Sequence, residues 1–146
     1  MGLLEQAIHA ATGVPRLWTA ATKAGLGASD AAQVLLVSQA ALKTAAVHGK
    51  GVPGRTNAMR HFMWQAVLTA RFRQDAAQSI AAAQEVGSPN RKDSSVDVHN
   101  NAVGQAYGTA HAAELKEGSA SAAVASLVPV ALEKWESDEL VWIRPH

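Results

Sequence analysis

N-A-M-R-H-F-M-W-Q-A-V-L-T-A-R-F-R, residues 57–73, decides the fold. Wound as a helix, it places Met59, Phe62, Met63, Ala66 and Ala70 on one apolar face that reads as core. His61, Trp64, Leu68 and Arg71, spaced by three, four and three, share an adjacent face, which sets His61 at the boundary between core and cleft. Thr56 is the candidate cap of this helix, the fourth in the chain. The stretch before it, His48–Thr56, reads H-G-K-G-V-P-G-R-T, and its glycines and proline forbid a helix.

Further toward the N-terminus, Leu3–Thr12 is a short helix candidate ended by Gly13. Pro15 suits the first turn of a second helix with Leu17 and Trp18, closed by Gly25 and Gly27. Ser29 is the expected cap of a third, running to about Val47. On the other side, Gln74 or Asp75 opens a fifth helix that ends at Gly87, and Gly87–Ser94 is a polar break. Ser94 or Ser95 caps a sixth helix through His111, and Ser119 or Ser121 a seventh that Pro129 kinks. Glu139–Ile143 alternates weakly, which suits a short strand or an extended tail docked by Trp142.

Composition agrees with this reading. The chain has 146 residues, enough for one domain with a real core, and neither a repeat nor a low-complexity linker divides it, so residues 1–146 read as one domain. About a fifth of the residues are alanine and 5% are aromatic, favouring close-packed helices over a β-sandwich. The expected fold is all-α: a compact bundle of six or seven helices with a short extended C-terminal segment. Its fourth and sixth helices should run antiparallel or cross at the centre, polar faces meeting, with a cleft open at Lys50–Thr56. A formal net charge of +1 with 17% charged residues excludes a charged disordered tail and a polyanion binder acting through bulk charge. The absence of cysteine removes disulfides, thiolate zinc sites and cysteine nucleophiles. No apolar run reaches the roughly 18–20 residues of a membrane span. No secretion signal is read at Met1–Gln6, which suits either a cytoplasmic protein or one exported within a longer chain or as secretion-system cargo.

Two constellations carry candidate chemistry. One is Arg60, His61 and Trp64 behind the cationic loop. The other is V-D-V-H-N-N-A-V-G, residues 96–104, where Asp97, Asn101, Gly104 and Gly108 form a short or polar stripe that invites close approach by another helix. His99, Asn100 and Asn101 are poor formers of a helix interior, and a sequence that tolerates them suggests a buried polar network. Such a network can specify packing without chemistry. His61 is thus either a general acid or base or a core histidine bonded within the fold. His61, Asp97 and His99 together could pair an imidazole with an orienting carboxylate, or hold a divalent metal. Metal is the weaker reading because no H-E-x-x-H or i, i+4 histidine pair is present, and no organic cofactor is expected. A serine hydrolase is weaker still without G-x-S-x-G.

Lys50, Arg55 and Arg60 around the start of the fourth helix make an anion-binding corner or a solvated basic turn. The substrate-binding set is Lys50, Arg55, Arg60, Trp64, Arg71, Asn100 and Asn101. Trp18, Trp135 and Trp142 read as packing anchors, and His9, His48, His111 and His146 have no evident partners.

The R-H-x-x-W of Arg60, His61 and Trp64, followed by the D-x-H-N-N-A-V-G of Asp97, His99, Asn100, Asn101 and Gly104, resembles an uncharacterised bacterial all-α domain family. The resemblance covers about Thr56–Tyr107. Family members often have D-A-x-R-H where this chain has Asn57 before Ala58. The resemblance implies a domain often found at the C-terminal end of secreted or polymorphic-toxin-type proteins, with an immunity protein as partner if this chain is a toxin. The expected activity is hydrolysis or group transfer on a phosphate-bearing or otherwise anionic small molecule, with nucleic acid open as a partner. The alternative is a non-enzymatic helical interaction module.

Overall fold

The computed structural model describes residues 15–85 and 91–142, with side chains described at 15–84 and 95–142. It is all-α, as expected. A helical stretch at residues 15–23 (α1) leads into α2 (Ala28–His48), α3 (Arg55–Arg71), α4 (Gln74–Glu85), α5 (Arg91–Ala110), α6 (Ala112–Leu115), α7 (Ala120–Ser126) and α8 (Val128–Glu136). The helix expected at Leu3–Thr12 lies outside the described residues, as does part of the break expected at Gly87–Ser94.

Helix α3 is the axis of the molecule. From Ala58 to Ala70 every residue but Arg60 is buried, and α2, α4, α5, α6, α7 and α8 all pack around it. The sequence expectation of a core face beside a cleft face therefore gives way to a helix enclosed on nearly all sides. Phe62, Met59, Met63 and Leu68 are fully buried. Each removes apolar surface worth roughly 1.5–3 kcal/mol from water.

The pairing of α3 with α5 differs from expectation. Asn57 meets Asp97, His61 meets Asn101 and Gln65 meets Gln105, each pair 40 residues apart. A constant offset means the two helices run parallel rather than antiparallel or crossed; α4, lying between them in the chain, returns it to the starting end. The close approach expected at the glycine stripe is present. A Cβ on Gly104 would lie 2.6 Å from the Phe62 carbonyl oxygen, and one on Gly108 would lie 2.3 Å from that of Ala66. Only glycine lets the two backbones come this near.

Several boundaries shift for local reasons. Gly27 and not Ser29 caps α2. Gly54, at φ 80, caps α3 in place of Thr56, because the turn that closes the loop needs a left-handed residue. Ser94 and Ser95 already lie inside α5. Ser119 does cap its helix, accepting from the Ala122 amide. Pro129 opens α8 rather than kinking one long helix, since proline's missing amide is harmless in a first turn. The described part of the C-terminal segment, up to Trp142, contains no strand; residues 137–140 form turns and bends, with the Glu139 and Leu140 amides donating to the Lys134 carbonyl, before the chain reaches Trp142.

Candidate functional site

The polar faces of α3 and α5 close on one another near the start of α3. Asn57 donates through Nδ2 to Asp97 Oδ1 at 2.7 Å. Arg60 Nη2 donates to Asn57 Oδ1 at 3.0 Å and lies 3.3 Å from His61 Nε2. His61 Nδ1 stands 2.8 Å from Asn101 Oδ1, and its Nε2 is 3.4 Å from Asp97 Oδ2.

These contacts select a tautomer. A guanidinium only donates, so Nε2 must be the accepting nitrogen, and the proton sits on Nδ1, donating to Asn101. The imidazole is 3% exposed and has its pKa pushed down to about 3, first by burial and then by the neighbouring Arg60 charge, with the Asn101 bond opposing. The 3.4 Å contact with Asp97 is within ion-pair reach, but a neutral ring makes no ion pair, so at neutral pH it is a contact between a lone pair and a carboxylate held together by the arginine beside both. Burial also lowers the pKa of Arg60, which Asp97 opposes; a guanidinium nevertheless stays charged. Arg60 is partly exposed, and its Nε and Nη1 carry no partner among the described residues.

Trp64 supports this group from below: its ring meets His61 edge-on at 5.7 Å, and Nε1 donates to Ser38 on α2 at 2.8 Å. The remaining sequence candidates lie elsewhere. His99 Nε2 donates to the Glu139 carbonyl at 2.8 Å. Asn100 grips Val141 from both sides, donating to its carbonyl at 3.1 Å and accepting from its amide at 2.9 Å. Of the H-N-N string, two side chains therefore hold the C-terminal segment and only Asn101 serves His61. Arg71 donates to the carbonyls of Leu115, Gly118, Glu117 and Ser119, about 16 Å along α3 from Arg60. Arg55 turns back onto the carbonyls of Gly49 and Lys50, closing the glycine loop, while the Lys50 side chain is exposed.

The loop itself packs tightly. Gly49 sits against the Thr56 backbone, and the Trp142 indole lies directly on Gly54. The corner where an anion was expected thus has an indole against the cap of α3. A cleft of about 480 Å³ does reach this loop at Pro53, but among the described residues its other walls belong to α8 and the C-terminal segment, not to the His61 group.

Asn57 is the member that the sequence reading missed as a site residue. Its signal was its place one turn before His61, four residues away on the same face. His111, expected to lack a partner, stacks on Tyr107 at 4.0 Å and lies 3.6 Å from Glu114. Among the described residues no three histidine, aspartate or glutamate side chains are grouped to hold a metal ion, and no helix is long and apolar enough to cross a membrane.

A family model described as a domain of unknown function, DUF6973, matches residues 26–131. The chain belongs to the DUF6973 family. The matched segment contains the whole Asn57–Arg60–His61–Asp97–Asn101 group and ends before the C-terminal tail that His99 and Asn100 hold. That the family is uncharacterised agrees with the sequence resemblance. No curated protein and no solved structure matches the chain.

Proposed function

We infer that this DUF6973 chain is an effector-type hydrolase or transferase that acts on an anionic, phosphate-bearing substrate at the Arg60–His61–Asp97 group. One observation carries the reading: a charged guanidinium, two of whose donor nitrogens have no partner among the described residues, stands beside a buried, neutral imidazole whose accepting Nε2 lies 3.4 Å from a carboxylate. Arg60 donates from Nε or Nη1 to the anion in a single charge-assisted hydrogen bond, since Nη2, which both bidentate forks of a guanidinium need, is held by Asn57 and His61. His61 Nε2 takes a proton from the attacking hydroxyl or water as its oxygen bonds to phosphorus, the P–O bond to the leaving oxygen breaks, and the imidazolium, paired with Asp97, gives the proton to that oxygen. Asn101 fixes the ring, and Asn57 fixes both Asp97 and Arg60. With its pKa held near 3 by burial and the Arg60 charge, His61 by itself is too weak a base for this work. A bound anion offsets the Arg60 charge, one of the two causes of its low pKa, so base strength rises when substrate is present. The bacterial and toxin setting comes from the sequence resemblance, as does an immunity protein for partner.

A second reading, a non-enzymatic helical interaction module, is favoured by the internal pairing of His61, whose two nitrogens both have protein partners. The two readings separate on paired variants. Wild type, His61→Ala and Arg60→Ala are expressed in a bacterial host with and without an export signal, and growth is followed alongside thermal melts of each purified protein. The enzyme reading expects growth arrest by wild type only, with Arg60→Ala still folded; the compartment in which arrest occurs then separates nucleic acids and nucleotides from envelope substrates. Equal growth for all three proteins with a lower Tm for His61→Ala supports the module and overturns the enzyme.

A further inference from the structure

We propose that the cleft between α8 and the glycine loop is a second binding site, unconnected with the His61 group, whose ligand is a small organic ammonium ion. Its walls are Trp135 at the end of α8, Trp142 and Leu140 of the C-terminal segment, and Pro53 of the loop, with Glu136 and Asp138 at the exposed rim. At about 480 Å³ it falls in the size range of small-molecule sites.

The chemistry of the walls favours a cation. Two indoles, Trp135 and Trp142, line the cleft, and an indole ring attracts a cation held over its face. The charge around the cleft has the complementary sign. Three acidic residues follow Trp135 within four positions, but Glu139 is neutralised, its Oε2 lying 3.0 Å from Lys134 Nζ. That lysine also lies 5.7 Å over the Tyr107 ring. Glu136 and Asp138 make no ion pair among the described residues, and no basic side chain is among the cleft's described walls. On a chain of net charge +1, the described walls of this pocket are aromatic and anionic.

The pocket is also held in shape. Asn100 and His99 fix the backbone of Val141 and Glu139, and Trp142 is seated on Gly54. Its aromatic walls therefore exist before any ligand arrives, which lowers the cost of binding.

The test uses the full chain and choline, with 3,3-dimethylbutan-1-ol as the uncharged compound of nearly the same shape. The indole N–H signals of Trp135 and Trp142 are followed by NMR, with Trp64, bonded to Ser38, as an internal reference. The expected result is saturable movement of Trp135 and Trp142 but not Trp64 with choline, and at least roughly fivefold weaker binding of the alcohol. Glu136→Gln with Asp138→Asn, both at exposed positions, should weaken choline about five- to tenfold while leaving the melt unchanged. Equal binding of choline and the alcohol, no movement with choline, or unchanged affinity in the double variant overturns the proposal. Tenfold tighter binding of a blocked Gly-Lys-Gly peptide than of choline overturns the assignment to a free small cation in favour of a polypeptide side chain.

Discussion

At the scale of single residues, His61 is the group whose setting departs most from that of a free side chain. A folded-state pKa of about 3 against an ordinary 6.5 means that the fold holds the ring neutral. The sign follows from linkage: the unfolded chain binds the extra proton more readily, so this contribution is full above pH 6.5 and is lost as pH falls from 6.5 toward 3. Over that window the loss is on the order of 5 kcal/mol. Two measurements check it. The His61 ring signals should not titrate between pH 8 and 4, and His61→Gln should flatten the acid limb of the stability curve relative to wild type. Asn101→Ala removes the bond that opposes the shift, so it should push the His61 pKa lower still and cost about 1–3 kcal/mol in a denaturant melt, because a buried donor loses its partner. The sequence made the members of this group legible, since Arg60 and His61 stand beside the apolar run of α3, and Asp97 and Asn101 share a stripe with the glycines of α5. It did not show their directions. His99, Asn100 and Asn101 are neighbours in the chain, yet successive helical residues point about 100° apart, so three similar side chains serve two different sites.

At the scale of elements, the pairing of α3 with α5 holds the candidate site together. Hydrogen bonds at Asn57, His61 and Gln65 recur every fourth residue against Asp97, Asn101 and Gln105, and glycines at 104 and 108 let the backbones meet. Gly108→Ala should therefore cost about 2–3 kcal/mol, because the new methyl meets backbone that cannot move aside. For a domain of this size that is a fall in Tm of roughly 5–10 °C. Gly27→Ala is the steric control: nothing lies within 4 Å of the added carbon, so its cost should be limited to the roughly 0.5–1 kcal/mol of a poorer N-cap, well below that of Gly108→Ala. The existence of both helices was readable from periodicity, and the glycine stripe from its composition. Their parallel sense was not, because periodicity names a face and says nothing of the direction in which a partner crosses it. Cap residues were read less well for a related reason. Ser29, Thr56 and Ser95 have the right chemistry, but loop geometry chose Gly27 and Gly54 for two of the starts and placed Ser95 within α5.

At the scale of the whole molecule, the last described residues are joined to the centre by the Asn100 grip on Val141 and by Trp142 on Gly54. Asn100→Ala should expose the Val141 amide, so its hydrogen exchange should rise by at least about tenfold, with a stability loss of roughly 1–2 kcal/mol. The His61 ring signals should stay near their wild-type positions, since Asn101 and not Asn100 holds that ring. Movement of both would mean that the tail and the site form one cooperative unit. By itself the sequence determined the class: alanine-rich composition, few aromatics and helical periodicity leave helices as the way to bury these residues. It also singled out His61, Asn100 and Asn101, which are buried, but it grouped the exposed His99 with them and did not name Gln65, Thr69 or Gln105, whose burial depends on which helices pack against them. Only the tertiary structure decided which of them meet. That outcome depends on the parallel register of α3 on α5 and on where the tail returns, and both arise from contacts between segments about 40 residues apart, which no local spacing encodes.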